Sequence, residues 1–157
     1  MEVVIYMESV FRPDFVLAQY LAVDKKSFLK EMADFLYQKQ VINSSEAFFG
    51  AVWSREQVMS TGVGRAIALP HGCNDSVLDF VVTVCQLAEP VDYDSIDNKP
   101  VSLVFLLAVP PSRQTSYMKV LAAISNFVRL PGKTDQLIAA KSQEDIFKLI
   151  SEIKVKF

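Results

Sequence analysis

His71 is the one histidine in a chain of 157 residues. It stands in Ile67-Ala68-Leu69-Pro70-His71-Gly72, just past a short apolar run and before a glycine. Strand ends are where α/β sheets place their sites. A neutral imidazole, with an ordinary pKa of about 6.5, is both a nucleophile toward a phosphoryl group and a general base, and one residue does not choose between the two. The plainer alternative is a turn residue with a satisfied hydrogen bond. Gly72 adds backbone that a ligand or partner can approach closely. Arg55 and Glu56 precede a turn-rich stretch, Ser60-Thr61-Gly62-Val63-Gly64. An arginine there can fold toward an anion held near His71, although most such arginines are solvated. Arg65 is nearer in sequence and is a rival for that role. The hydroxyls of Ser60 and Thr61 and the amides of their loop, Gly62 included, can hydrogen-bond phosphate oxygens; otherwise the stretch is a connecting turn. A dinucleotide reading of Gly62-Val63-Gly64 fails, because the third glycine is missing (Ile67 stands there) and the segment precedes a strand instead of following one. Cys73 lies two residues beyond His71, so an extended segment would put a thiol and an imidazole on one face. One His and two scattered Cys do not assemble a metal site.

These residues need a scaffold. Phe28, Leu29, Met32, Ala33, Phe35 and Leu36 recur at helical spacing behind Asp24 and Ser27, both capping types, and predict a helix over 26–39. Asn43 with Glu46 three residues on has the capping-box pattern, and Phe48, Ala51 and Val52 give a second helix ending near Gln57. After the 60–64 loop, Ala66 to Leu69 reads as a short strand closed by Pro70. Phe80 to Leu87 and Val101 to Val109 lack polar alternation, as do strands covered by helices on both faces. Tyr117, Leu121, Ile124 and Val128 mark a third helix, stopped by Pro131-Gly132. Ser142, with Asp145 three residues later, caps a last helix carrying Ile146, Leu149, Ile150 and Ile153. Val3 to Tyr6 and Phe15 to Ala18 are further strand candidates. Trp53 and the phenylalanines fall mostly on apolar stripes, which assigns them to the core. The order is that of an α/β domain in three layers, a sheet between helices, and residues 1–157 read as one domain.

Composition narrows the function. Hydrophobic residues make up 51% and charged residues 22%, enough apolar surface for a core. Sixteen Lys plus Arg against eighteen Asp plus Glu leave a formal charge of −2 with no basic run, which disfavours nucleic acid as partner. The apolar stretch from Leu103 to Pro111 is too short to span a bilayer, so no direct membrane insertion is expected. Glu2 stands where a secretory signal would be basic, which points to a cytoplasmic protein. Cys73 and Cys85 are then expected as free thiols.

The stretch from Arg55 through Ser60-Thr61-Gly62-Val63-Gly64 to Pro70-His71-Gly72 resembles the signature of enzyme IIA components of the bacterial phosphotransferase system, in the fructose, mannitol and nitrogen-regulatory branch. Tyr93 to Phe105, Val109-Pro110 and the closing helices resemble the same family, and the resemblance covers roughly residues 12 to 153. It implies the mannitol-type enzyme IIA fold, a three-layer α/β/α sandwich with a mixed sheet. His71 matches the histidine that accepts a phosphoryl group from HPr, or from its HPr-like nitrogen-branch counterpart, and Arg55 matches the arginine that steadies it. The group then passes to a cysteine of a IIB domain, or serves contacts with a regulatory protein target. The resemblance implies no cofactor and no metal. Members usually carry a second histidine at the start of the helix after Pro110-Pro111; here Tyr117-Met118 stands at those positions. A phenol hydrogen-bonds but, with a pKa of about 10, does not share a proton near neutrality. Phosphorylation altered or lost, with the fold kept as a regulatory binding module, is the alternative that this substitution leaves open.

Overall fold

The structure, a computed structural model, describes residues 10–155. Its sheet is built on two long apolar strands, β5 (Val81–Val91) and β6 (Val101–Val109), which pair antiparallel. β1 (Phe11–Tyr20) lies parallel to β5 on one edge. On the other side of β6 run two short strands in succession, β3 (Ile67–Ala68) and β4 (His71–Cys73), both parallel to it. β2 (Gly62–Gly64) closes that edge antiparallel to β3, so the sheet is mixed.

Both faces of the sheet are covered, which is why its central strands show no polar alternation. Val104, Leu106 and Ala108 of β6 face α1 (Lys25–Gln38) and α2 (Ser45–Val58), packing with Phe28, Met32, Leu36, Phe48 and Val52. Leu103, Phe105, Leu107 and Val109 face the other way, against α3 (Gln114–Arg129), α4 (Lys133–Ala139) and α5 (Gln143–Ile150). Three layers result, as expected. Cys73 and Cys85 are free thiols.

Boundaries differ from the sequence reading where tertiary contacts intervene. Asp24 caps α1, its Oδ1 accepting from Ser27 N at 2.8 Å. The cap of α2 is Ser44, not Asn43. The Asn43 N–H donates to the Ser76 carbonyl at 2.8 Å beside an Ile42–Val77 bridge, which holds Asn43 in extended chain and moves the helix start on by one residue. β1 is longer than Phe15 to Ala18, while Val3 to Tyr6 lies outside the described residues. The seven residues of α4 carry no element in the sequence reading; Leu137, fully buried, anchors them. Ser142 caps α5 as expected, but the helix ends at Ile150 and Ile153 reaches the core from the turn that follows. Trp53 is half-buried, stacked on Phe49 at 6.0 Å with Lys25 and Lys26 over its ring, so it borders the core instead of filling it. No helix among the described residues is long and apolar enough to cross a membrane.

Candidate functional site

Pro70 has no N–H to give the ladder, and the strand along β6 breaks there into β3 and β4. His71 reopens it, paired with Leu107. Strand alternation then separates three consecutive side chains. His71 and Cys73 face α3, and Gly72 faces α2, where a Cβ would lie 2.9 Å from Phe48 Cε2 and from Val52 Cγ2. The close approach that Gly72 permits is therefore that of a helix of the same chain.

The half-buried His71 ring has both nitrogens occupied. Nδ1 lies 3.2 Å from the Leu69 carbonyl oxygen. A carbonyl only accepts, so Nδ1 carries the proton and Nε2 the lone pair. Nε2 accepts from the Tyr117 hydroxyl at 3.3 Å, the ring centroids standing 5.2 Å apart and tilted by 40°. A cavity of about 260 Å3 opens here, lined by His71, Cys73, Val109, Gln114, Tyr117 and Met118. Burial is the main cause that holds the imidazole pKa below its ordinary value; the Arg55 charge acts in the same direction, and the Leu69 hydrogen bond and Glu56 act against it. The ring is thus a free base at neutral pH. Burial raises the Tyr117 phenol, which stays protonated and able to donate. Cys73 does share the His71 face, and its sulfur accepts from Gln114 Nε2 at 3.6 Å.

Arg55 stands in the last turn of α2 and donates from Nη1 to the Met59 carbonyl at 2.7 Å, close enough to His71 for its charge to act there. The next residue, Glu56, has a fully buried carboxylate that sequence reasoning passed over. It accepts from the Thr61 N–H at 3.0 Å and from the Thr61 hydroxyl, and pairs with Lys25 Nζ at 3.0 Å. The Tyr93 hydroxyl donates to Thr61 Oγ1 at 3.2 Å, and Lys25 Nζ sits 4.3 Å above the Tyr93 ring. Ser60 Oγ donates to the Tyr93 carbonyl at 2.8 Å and accepts from Gly62 N at 3.1 Å. The Ser60 and Thr61 hydroxyls thus tie their loop to Tyr93 and Glu56, and among the described residues neither hydrogen-bonds His71. Gly62 lies against Ser95, whose Cα a Cβ there would meet at 3.0 Å. Arg65 is not at this site. It occupies the β2–β3 turn and lines a separate cavity of about 340 Å3 with Arg129 and Asp135.

This fold and site can be set beside known proteins. Residues 9–153 match the family described as phosphoenolpyruvate-dependent sugar phosphotransferase system, EIIA 2. The chain belongs to this family. It is a IIA-type phosphotransfer component of the phosphotransferase system. A nitrogen regulatory protein of Klebsiella oxytoca is 34% identical over 149 residues, 93% of this chain and 90% of that one. The crystal structure of nitrogen regulatory protein IIA-Ntr from Neisseria meningitidis superposes with a TM-score of 0.85 at 25% identity, covering 92% of this chain and 98% of that one. The mannitol enzyme IIA of Escherichia coli, solved in complex with phosphorylated enzyme IIB, shares the fold with a TM-score of 0.78 at 20% identity, over 90% and 99% of the two chains. The mixed sheet with flanking helices described above is the architecture of this IIA family.

Proposed function

We propose that this IIA protein is a single-domain cytoplasmic phosphocarrier that accepts a phosphoryl group on His71 Nε2 from phospho-HPr or its nitrogen-branch counterpart. The observation that carries the reading is the tautomer: with Nδ1–H held by the Leu69 carbonyl, the nucleophilic lone pair is on the nitrogen that faces the cavity. Attack by Nε2 on phosphorus breaks the donor's own nitrogen–phosphorus bond, and the ring gains positive charge. The Nδ1–H bond to Leu69 strengthens as it does, since a charged donor makes the stronger hydrogen bond. Arg55 supplies positive charge toward the phosphoryl oxygens. The loop Ser60 to Gly62 contributes indirectly, by fixing the chain after Arg55, and Gly72 by letting α2 seat. The group then passes to a IIB cysteine or serves a regulatory protein target. The nitrogen regulatory relatives favour the second outlet.

The decisive experiment charges the protein with phosphoenolpyruvate, enzyme I and HPr, and in parallel with their nitrogen-branch counterparts, and follows intact mass. Wild type gains one phosphoryl group and His71→Ala none; an adduct on His71→Ala refutes the assignment. A second reading, a regulatory module with weakened phosphorylation, is favoured by the Tyr117 hydroxyl, which occupies Nε2 and must be displaced before transfer. It predicts little or no adduct with either donor and a partner that binds wild type and His71→Ala equally.

A further inference from the structure

Displacement at phosphorus places the entering and leaving atoms on opposite sides, roughly in line. The Tyr117 hydroxyl donates to Nε2 of His71 from 3.3 Å, with the two ring centroids 5.2 Å apart, so it stands beside the axis that a nitrogen–phosphorus bond will occupy. Once a phosphoryl group is bound there, a swing of the phenol brings its oxygen to the side of phosphorus opposite Nε2. The group needs more than 3.3 Å between those atoms, and the cavity of about 260 Å3 that Tyr117 lines is the space into which the ring would move. Tyr117 is half-buried in the first turn of α3, beside exposed Met118 and Gln114, at the rim of the cavity it shares with His71. A second imidazole at this position would hand a phosphoryl group back as readily as it received one. A phenol makes an ester.

We propose that Tyr117 is a second phosphoryl acceptor, taking the group from phosphorylated His71 to form a phosphotyrosine. The proposal rests on the reading of His71 as first acceptor. In the step, the Tyr117 Oη–P bond forms and the His71 Nε2–P bond breaks. The phenolic proton passes to the vacated Nε2 and on to solvent, leaving the Nδ1–H tautomer that the Leu69 carbonyl holds. No further reactant enters. The transfer runs downhill, from a labile phosphoramidate to a phosphate ester, and it is slow beside carrier turnover because the phenol is protonated and must move. Its product is a lasting charge of about −1.5 to −2 at the mouth of the cavity, where the histidine adduct is transient.

The test separates the two adducts by their stability. Wild type, Tyr117→Phe and His71→Ala are each incubated with phosphoenolpyruvate, enzyme I and HPr, and intact mass is read before and after acid treatment. The tryptic peptide Gln114 to Lys119 is then fragmented to place any phosphate. The expected result is an acid-stable fraction in wild type that grows with time, carries its phosphate on Tyr117, and is lost in both variants. An adduct in wild type that acid removes completely overturns the proposal and leaves the His71 reading standing. An acid-stable adduct that persists in His71→Ala, or that maps to Thr115 or Ser116, also overturns it. No adduct of any kind, with HPr or with its nitrogen-branch counterpart as donor, overturns the His71 reading and this proposal with it.

Discussion

Gly72→Ala distinguishes two roles for the glycine beside His71. Its φ is not in the left-handed region, so alanine fits the backbone, and removing a glycine gains about 0.4–1 kcal/mol from the unfolded chain. Against that, the new methyl lies 2.9 Å from Phe48 Cε2 and 2.9 Å from Val52 Cγ2, both in the interior of α2. Neither is the tip of a flexible side chain, so α2 must move off the sheet, and overpacking of this kind costs about 1–3 kcal/mol. The net expectation is a loss of about 1–2 kcal/mol, equivalent to a fall in Tm of about 2–8 °C for a chain of this size. Urea unfolding of Gly72→Ala, Val52→Ala and the double variant measures it. In the Val52→Ala background the methyl enters space that the valine leaves, so Gly72→Ala should cost less there, with a coupling of about 1 kcal/mol. A Gly72→Ala protein as stable as wild type but unable to accept phosphate would refute the packing argument and return the glycine to a role in ligand approach.

Lys25→Met strands the buried Glu56 carboxylate and should cost about 3–5 kcal/mol in chemical unfolding; the double variant with Glu56→Gln should cost less than the two single changes summed, and strict additivity would show that the pair does not interact. Ala66 has φ 68°, a conformation that costs an L side chain about 1–2 kcal/mol, so Ala66→Gly in the β2–β3 turn should raise the urea midpoint despite the entropy glycine adds; a lowered midpoint contradicts this. The folded His71 holds its proton less tightly than the unfolded residue with its pKa of 6.5, so folding loses stability as pH falls through 6.5 toward the lower folded value. His71→Asn should therefore gain on wild type between pH 7.5 and 5, and a stability difference that stays constant with pH removes the basis for a depressed imidazole.

Much of the scaffold is legible because it rests on local rules. The aliphatic runs of β5 and β6 announce strands buried on both faces, and Asp24 and Ser142 cap the helices they precede. Errors occur where a distant segment decides: Ser76 draws Asn43 into extended chain, and one buried leucine stabilises a helix too short to show a period. The site divides the same way. His71 stands out by its rarity and by its place after a strand and before a glycine. Burial of Glu56 beside the more conspicuous Arg55 has no signature, since charge alone suggests a solvated side chain and its partner Lys25 sits on another helix. The contact of Tyr117 with His71 spans 46 residues and is suggested in the sequence by family resemblance alone.

The hydrogen bond from His71 Nδ1 ends on Leu69, two residues back in the same chain, so the imidazole is oriented by the backbone turn that presents it. Everything that differentiates the site arrives on other elements: Tyr117 and Gln114 on α3, Arg55 on α2. Reactivity and selectivity are therefore separable in inheritance. A lineage can exchange the α3 residue facing Nε2 without rebuilding the turn that presents the imidazole.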